Sequence, residues 1–261
     1  MNKIECRCLL LLLGQALSKW QALGILLFMN TSLPTPILDE KTRPLIMVGN
    51  GAYDTEMLAK FAHLGRVVAV DGGYYGCRLA GITPDLLIGD MDSVDPVDLI
   101  DARKKTQVHP ISEQDTTDLE KALRHVRAPA ILGFGFLGKR FDHSLSALSV
   151  LARFTKMQRV MLVGSEDILH VTSGRFRMRL DAGRRLSVWP LEKIEFESSS
   201  GLSWALDGLQ MAPNGRVGTS NKMVSDRLEI HPKEGGEAAY AVLAETQYLE
   251  AMLDALLTQS L

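Results

Sequence analysis

The stretch "RVVAVDGGYYGCRLAGITPDLLIGDMDSVD" (66–95) contains two apolar runs, and each of them ends in glycine and aspartate. The residues between the runs have the length of a short helix. A strand, a turn, a helix and a second strand with near-continuous apolar character predict a parallel sheet covered on both faces. Asp90, Asp92 and Asp95 lie close together after the second run, and no lysine or arginine occurs within 84–101. Crowded carboxylates repel one another unless a cation or a proton compensates them, so this strand end is a candidate site.

The same alternation extends along much of the chain, and its pattern changes after about residue 168. Apolar runs that predict buried strands occupy 44–51, 66–73, 85–90, 106–111, 130–136 and 159–164. Segments that predict helices lie near 54–64, 74–80, 96–104, 116–127 and 141–157. Later runs are short, and "FRMRL" (176–180) and "RLEIH" (227–231) alternate strictly, as half-buried antiparallel strands do.

These patterns predict an α/β fold in which an N-terminal parallel-sheet domain is followed by a C-terminal antiparallel β-sandwich. The chain closes with a predicted helix over 246–260 that carries a leucine-rich stripe and docks on the core or on a second subunit. The predicted divisions are an N-terminal extension at 1–40, the α/β domain at 41–168, the β-sandwich at 169–245 and the closing helix within 246–261.

Residues 1–28 are apolar but do not read as a membrane span. Lys3 and Arg7 precede the runs at 9–13 and 22–28, and a polar interruption leaves no uninterrupted span of ~20 apolar residues. We expect residues 1–28 to be an upstream extension and Met29 to be the true first residue of the protein. A disordered or amphipathic tail and an export signal are the alternatives.

The composition is that of a globular protein without a polyanionic partner. The 261 residues are 46% hydrophobic and 23% charged, and the formal net charge is −2. This charge gives no electrostatic reason to expect nucleic acid or an anionic membrane as a partner. Cys6, Cys8 and Cys77 do not make a disulfide framework, so we expect a reducing, cytoplasmic compartment.

Aspartates recur at the predicted carboxyl ends of the strands, which is where open α/β sheets bind ligands. They are Asp71, Asp90, Asp92, Asp115 and Asp118. Each one alone has a structural explanation, such as a turn at Asp71 or a helix-dipole interaction at Asp118. Together they would place uncompensated negative charge on several strands of one edge. Carboxylates suit Mg²⁺, and adjacent glycine turns let phosphates approach closely, so the pattern indicates metal-assisted phosphoryl chemistry.

One enzyme alternative stays open at this point. The segment "DMDSV" (90–94) also fits the D-x-D-x-[TV] pattern of haloacid-dehalogenase-like phosphatases, which would make Asp90 a nucleophile. Those enzymes need a later lysine and a second acidic motif, for which the chain offers only Glu166 and Asp167.

Three longer segments together resemble the signature series of the thiamine pyrophosphokinase family. They are "VDGGYYGCRLAGITPDLLIGDMDSVDP" (70–96), "EQDTTDLEKAL" (113–123) and "GKRFDHSLSAL" (138–148), and "GLSW" (201–204) and "TSN" (219–221) resemble its second domain. The resemblance implies a nucleotide-binding α/β domain, a thiamine-binding β-sandwich and a homodimer with thiamine in a cleft between subunits. It also implies transfer of the pyrophosphoryl group of ATP to the thiamine hydroxyl, with release of AMP and with Mg²⁺.

The resemblance further assigns candidate site residues. The implied catalytic group is Asp71, Asp90, Asp92, Asp118 and Asp142, of which Asp90, Asp92 and Asp118 would bind Mg²⁺. The implied ATP contacts are Gln114, Asp115, Thr117 and Arg140, and the implied thiamine contacts are Trp204, Ser220 and Asn221. Either Asp71 or Asp118 would orient or deprotonate the hydroxyl. Lys139 departs from the family, which usually has glycine there, and a non-catalytic nucleotide- or thiamine-binding module is a further alternative.

Overall fold

The computed structural model describes residues 33–235 and 237–258. The predictions for residues 1–28 therefore lie outside the described residues. The strands are β1 (Leu38–Asp39), β2 (Leu45–Val48), β3 (Arg66–Val70), β4 (Leu86–Gly89), β5 (Gln107–Pro110), β6 (Val126–Arg127), β7 (Ile131–Phe134), β8 (Val160–Val163), β9 (Asp167–Thr172), β10 (Phe176–Arg179), β11 (Arg185–Pro190), β12 (Ile194–Ser200), β13 (Gln210–Met211), β14 (Gly218–Lys222), β15 (Arg227–Pro232) and β16 (Tyr240–Glu245). The helices are α1 (Thr55–Ala62), α2 (Gly73–Leu79), α3 (Pro96–Lys105), α4 (Asp118–His125), α5 (Phe141–Phe154) and α6 (Leu249–Thr258).

A ten-stranded mixed sheet runs through most of the fold in the order β14-β11-β16-β9-β8-β7-β2-β3-β4-β5. The strands from β8 to β5 are parallel, and those from β9 to β14 are antiparallel. The chain leaves β2 toward β3 on one side and later returns through β7 on the other side. This reversal opens a crevice at the carboxyl ends of the parallel strands, where ligands bind in doubly wound sheets.

The central parallel strands lie inside the predicted apolar runs, and every residue of β2, β4, β7 and β8 is buried. The predicted helices are present, with ends that differ by at most a few residues. Asp95 caps α3 by accepting a hydrogen bond from the N–H of Val97 at 2.8 Å, and Pro96 follows at the first helical position. Thr117 caps α4 in the same way.

A second, antiparallel sheet has the order β10-β15-β12-β13. The ring of Phe196 on β12 packs edge-on against Tyr240 of the large sheet, with centroids 5.3 Å apart. The protein is thus an α/β fold with a mixed and an antiparallel sheet. Strand β9 crosses the predicted boundary at residue 168 and is hydrogen-bonded to β8, and the described residues from Pro36 onward form one compact unit. The division into domains stays a prediction.

Helix α6 covers the core with the predicted stripe. The buried side chains include Leu249, Met252, Leu253 and Leu256, and the helix packs on β10 and β8. It follows a short 3₁₀ turn at Thr246–Tyr248, so the α-helix begins slightly later than predicted. Across residues 33–235 and 237–258, no helix has both the length and the apolar character needed to cross a membrane.

Candidate active site

Three carboxylates converge where β3 and β4 end. Asp71 directly follows β3, whereas Asp90 and Asp92 follow β4. Each offers an oxygen atom, and these atoms all lie within 4.8 Å of one another. Because β3 and β4 are parallel neighbours, their carboxyl ends bring together residues that are distant in the sequence. We call Asp71, Asp90 and Asp92 the acidic cluster.

The backbone around the acidic cluster is held in unusual conformations. Asp71 has a φ of +47°, and its N–H donates a hydrogen bond to the carbonyl oxygen of Ile88 at 2.9 Å. Gly89 has a φ of +147°, and a Cβ at that position would lie 2.9 Å from the Cβ of Asp71. A side chain at Gly89 would therefore be strained and would displace Asp71, so the glycine allows the two strand ends to approach.

Lys121 reaches the acidic cluster from helix α4. Its ammonium nitrogen Nζ lies 3.0 Å from Oδ2 of Asp90 and 3.1 Å from Oδ1 of Asp118, and its side chain is only 2% exposed. Sequence reasoning did not select this residue. Its signal was the spacing of three residues from Asp118, which places the two side chains on one helix face. Lys121 supplies a positive charge that residues 84–101 lack.

Burial and neighbouring charges together shift the pKa values of Asp90, Asp118 and Lys121. Desolvation acts to raise the pKa of Asp90, but hydrogen bonds from Lys121, from the N–H of Asp92 and from Gln114 outweigh it and leave the pKa below its usual range. Burial raises the pKa of Asp118, the carboxylates of Asp90 and Asp71 add to this effect, and Lys121 opposes it. Desolvation acts to lower the pKa of Lys121, but its two carboxylate partners more than reverse this, so the lysine is held in its charged form.

The acidic cluster fits a divalent cation. Asp71 is 5% exposed, and within the described residues its Oδ1 is buried without a hydrogen-bond partner. A buried carboxylate oxygen of this kind calls for a cation or another donor. Clustered hard oxygen atoms suit Mg²⁺. The geometry groups Asp71 with Asp90 and Asp92, while the predicted ligand Asp118 is connected to them through Lys121. Metal binding by Asp118 stays a prediction.

The predicted ATP contacts on the loop before α4 have different surroundings. Gln114 lies at the acidic cluster, where its Nε2 donates a hydrogen bond to Oδ2 of Asp90 at 3.3 Å. Asp115 is exposed, and its N–H donates to Oε2 of Glu113 at 2.8 Å within a turn. The Thr117 hydroxyl accepts a hydrogen bond from the N–H of Glu120 as the cap of α4. Only Gln114 is hydrogen-bonded to the cluster in these contacts.

Two further loops meet beside the crevice, after β2 and β7. The N–H of Gly51 donates to the carbonyl oxygen of Gly135 at 2.7 Å, and Nζ of Lys139 donates to that of Asn50 at 2.8 Å. Lys139 has a φ of +51°, in the left-handed region that favours glycine. The two loops therefore support each other at the switch point of the sheet.

Arg140 and Asp142 pair with each other at the start of α5. Nη2 of Arg140 lies 2.6 Å from Oδ2 of Asp142, and both side chains are exposed. The hydrogen bond from Arg140 lowers the pKa of Asp142. Both residues could change partner at low cost, because exposed ion pairs contribute little to stability.

A cleft of about 210 Å³ adjoins the acidic cluster and is lined by Asn50, Gly72 and Ser93, among other residues. A Cβ at Gly72 would lie 2.8 Å from Nδ2 of Asn50 and 3.2 Å from the Cβ of Ser93, so a side chain there would crowd the cleft wall. Ser93 donates its hydroxyl hydrogen to Oδ1 of Asp92 at 2.9 Å. Asp95 and Asp98 also line the cleft, so a phosphate-bearing ligand there would need a bound cation to offset the negative charge.

The predicted thiamine contacts form a separate group near β14. The amide of Asn221 is 4% exposed, and its Oδ1 accepts from the N–H of Trp204 at 3.2 Å while its Nδ2 donates to the Trp204 carbonyl oxygen at 2.7 Å. The side chain of Trp204 is 63% exposed. Ser220 has a φ of +57°, and its N–H donates to the hydroxyl of Ser187. Strand β14 is one edge of the large sheet, seven strands from β3.

Comparisons with known proteins agree on one family. A family model described as the thiamin pyrophosphokinase catalytic domain matches residues 59–163. Thiamine pyrophosphokinase 1 of Arabidopsis thaliana is 27% identical over 227 residues, which cover 78% of this chain and 81% of the relative. The chain is similar to thiamine pyrophosphokinases, and the similarity extends over most of its length. The match of the family model includes the acidic cluster and Lys121.

Solved structures of the thiamine pyrophosphokinase family share the fold. The thiamin pyrophosphokinase from Candida albicans superposes with a TM-score of 0.68 at 14% identity, and covers 82% of this chain and 94% of its own. The thiamine pyrophosphokinase from Bacillus subtilis gives a TM-score of 0.66 at 20% identity, with coverage of 78% and 99%. At these identities the superpositions establish the fold alone.

Proposed function

We propose that this protein transfers the pyrophosphoryl group of ATP to the hydroxyl of thiamine, giving thiamine diphosphate and AMP. The similarity to thiamine pyrophosphokinases supports this activity. The observation that carries it in the structure is the acidic cluster at the carboxyl ends of β3 and β4, beside a cleft with a glycine wall. This arrangement is suited to a nucleoside triphosphate and its cation.

In this reaction the thiamine hydroxyl oxygen forms a bond to the β-phosphorus of ATP. The bond from the β-phosphorus to the α,β-bridging oxygen breaks, and AMP leaves with the electron pair. Asp71, Asp90 and Asp92 would hold Mg²⁺, which when bound supplies positive charge to the phosphate oxygens. Lys121 and Gln114 hold the Asp90 carboxylate in place, so the cluster is positioned before the substrates arrive.

The hydroxyl proton requires an acceptor, and Asp118 and Asp71 are the two candidates. Burial raises the pKa of Asp118, which brings this carboxyl closer to the range in which a general base works well. We therefore favour Asp118, held by Lys121, as the residue that orients the hydroxyl and accepts its proton. A loose transition state demands little base strength, so orientation is the larger part of this role.

Thiamine would bind near Trp204, Ser220 and Asn221, with a homodimer completing the site. The exposed indole of Trp204 offers an aromatic face for stacking with the pyrimidine ring. Seven strand spacings of ~4.8 Å separate β14 from β3, which is about 34 Å along the sheet. Within one protomer this separation is too large for a ligand the size of thiamine. We therefore propose that the acidic cluster of one protomer faces the Trp204 region of its partner.

The phosphatase alternative has less support. Both oxygens of Asp90 already accept hydrogen bonds, from Lys121 and Gln114 on one side and from the N–H of Asp92 on the other. These hydrogen bonds leave a lone pair available for a metal ion, so they fit the proposed ligand role, and the similarity to thiamine pyrophosphokinases is what favours the transferase over the phosphatase. We also propose a reducing, cytoplasmic setting, since Cys77 is a free and buried thiol.

Three measurements on the purified full chain separate the three functions. The purified full chain is incubated with ATP, Mg²⁺ and thiamine, and AMP and thiamine diphosphate are expected in equal amounts. Release of inorganic phosphate from p-nitrophenyl phosphate, without AMP formation, would favour the phosphatase. Calorimetric thiamine binding without any product would favour a binding module. Asp71→Asn is the matched control, and it should abolish both turnover and the Mg²⁺-induced increase in melting temperature.

A further inference from the structure

A second cavity lies at the opposite ends of the parallel strands from the acidic cluster. It has a volume of about 350 Å³ and is enclosed by the end of α5, the residue before β8, the turn between β9 and β10, and helix α6. The amino end of β8 borders this cavity, whereas the acidic cluster lies at carboxyl ends of strands parallel to β8. The cavity is therefore distinct from the proposed catalytic site.

The cavity has a positive wall. Lys156, Arg159 and Arg175 line it together with the hydroxyl-bearing Thr155 and Ser173, and none of the described residues that line it is acidic. Helix α5 ends next to the cavity, and its C-terminal partial charge of roughly −0.5 opposes an anion. Lys156 and Arg175 have glutamate partners, whereas the printed partner of Arg159 is a neutral carbonyl oxygen, so a full positive charge still exceeds this partial charge and the cavity favours a negatively charged ligand.

Each of the three cations has a hydrogen-bond or ion-pair partner, and these partners leave the cations available to a ligand. Nη1 of Arg159 donates to the carbonyl oxygen of Pro129 at 3.2 Å, which fixes the guanidinium while leaving its charge uncompensated by that contact. Arg175 pairs with Glu234 at 3.3 Å, and Lys156 pairs with Glu237. The glutamates are 84% and 73% exposed, and ion pairs of this kind contribute little.

The floor of the cavity is apolar. Phe176 and Leu256 are almost fully buried, and the ring of His170 lies 5.6 Å from that of Phe176. The Nδ1–H of His170 donates to the carbonyl oxygen of Val160 at 2.8 Å, in the tautomer that this partner requires. Burial lowers the pKa of His170 to about 4, so the ring is neutral near pH 7 and belongs to the floor, not to the positive wall.

We propose that this cavity binds a small phosphomonoester, with its phosphate group between Lys156, Arg159 and Arg175 and its apolar part against the narrow strip of Phe176 and Leu256 that borders the cavity. Arginine forks match the tetrahedral oxygens of phosphate, and lysine adds a point charge. A concave site with an apolar lining and a few converging polar groups is the usual form of a small-molecule site.

The test is isothermal titration calorimetry of the full chain with phenyl phosphate. EDTA is present, so that no divalent cation can recruit the phosphate to the acidic cluster. Arg159→Gln and Arg175→Gln should each weaken binding by about tenfold, as expected for loss of a charge-assisted hydrogen bond. Arg179→Gln is the matched control, because Arg179 lies on the same strand as Phe176 but is exposed and pairs with Asp226. It should leave the affinity within about twofold.

Two comparisons make the outcome decisive. Phenyl phosphate should bind more tightly than inorganic phosphate, and phenol should not bind, because the proposal requires both the anion and the apolar part. The proposal is overturned if wild-type protein shows no heat at millimolar phenyl phosphate, or if the affinity is the same in Arg175→Gln. Equal affinity for inorganic phosphate and phenyl phosphate would also contradict it. Since Arg175 lies outside the acidic cluster, Arg175→Gln should retain thiamine diphosphate formation, which distinguishes failure here from failure of the proposed function.

Discussion

The ammonium group of Lys121 lies 3.0 Å from a carboxylate oxygen of Asp90, and the lysine side chain is almost completely buried. The same ammonium group contacts Asp118, so one cation serves two carboxylates. A buried lysine in this position partly compensates the acidic cluster before any metal or nucleotide binds. The remaining negative charge is what a divalent cation would neutralise.

Lys121→Met should therefore lower the free energy of unfolding of the metal-free protein. Removing one partner of a buried pair costs about 3 kcal/mol, because the other charge is left uncompensated. Urea unfolding measures the change, and Mg²⁺ should restore part of it by supplying the missing charge. In the double variant Lys121→Met/Asp90→Asn, the loss should be smaller than the sum of the two single losses. A free energy of unfolding that Lys121→Met leaves unchanged would mean that the pair contributes no stability.

Asp92→Asn should affect turnover far more than stability. The substitution removes a proposed metal ligand and also relieves repulsion within the acidic cluster, so we expect an unchanged or slightly higher melting temperature. The rate of thiamine diphosphate formation should fall by at least about a hundredfold, consistent with loss of several kcal/mol of charge stabilisation.

The matched control for this variant is Asp101→Asn. Asp101 is a surface residue of α3 that pairs with Lys105, and it makes the same acid-to-amide change away from the cluster. Its activity should stay within about twofold of wild type, since such exposed pairs contribute little. A large fall in melting temperature of Asp92→Asn with activity retained would refute the role of Asp92.

Much of the α/β part was predictable because its physical signals are local. Apolar runs bounded by glycine and aspartate predicted the parallel strands, and the strand-end rule predicted that Asp71 and Asp90 would meet. Lys121 was not predicted, because α4 is buried almost all round and its lysine looks like a surface residue in the sequence. Pairing between Lys121 and Asp90 depends on packing between elements that are distant in the chain.

The continuity of the large sheet could not be predicted from the sequence either. The run that forms β9 is apolar like those before it, but its pairing is antiparallel to β8 and to β16, which lies far along the chain. Alternation predicts a half-buried strand and its two faces, but it does not specify the neighbouring strand. The predicted change of pattern near residue 168 therefore marks a change in strand direction within one sheet.

His170 should make stability fall with acidification. The folded state holds its imidazole neutral with a pKa of about 4, below the ordinary value of 6.5, chiefly because of burial, with the positive charge of Arg159 adding to the effect. As the pH falls below 6.5 the unfolded chain takes up the proton first, so stability is full above that pH and is lost progressively down to pH 4.

Comparison with His170→Gln isolates this contribution from that of the carboxylates. Glutamine retains an N–H donor for the Val160 carbonyl oxygen but does not titrate. Between pH 7 and pH 4.5, wild type should lose about 2–3 kcal/mol more of its unfolding free energy than the variant. Equal pH dependence in the two proteins, measured by urea unfolding, would show that His170 is not held neutral.

Asn221 and Trp204 offer a test of how the proposed thiamine region works. Trp204→Ala removes an exposed side chain, so stability should change by no more than about 0.5 kcal/mol, while the KM for thiamine should rise at least about tenfold. Asn221→Ala should also raise this KM, but with a loss of stability of about 1–3 kcal/mol, because the N–H and carbonyl groups of Trp204 lose their partner.

The double variant distinguishes an indirect from a direct role of Asn221. Among the described residues, the hydrogen bonds of its amide are with the backbone of Trp204 and Lys222, so we expect Asn221 to act by positioning Trp204. In that case Asn221→Ala should add little to the KM effect once Trp204 is alanine. Additive effects on KM would instead require direct contact between the Asn221 amide and thiamine, with the amide turned away from the Trp204 backbone.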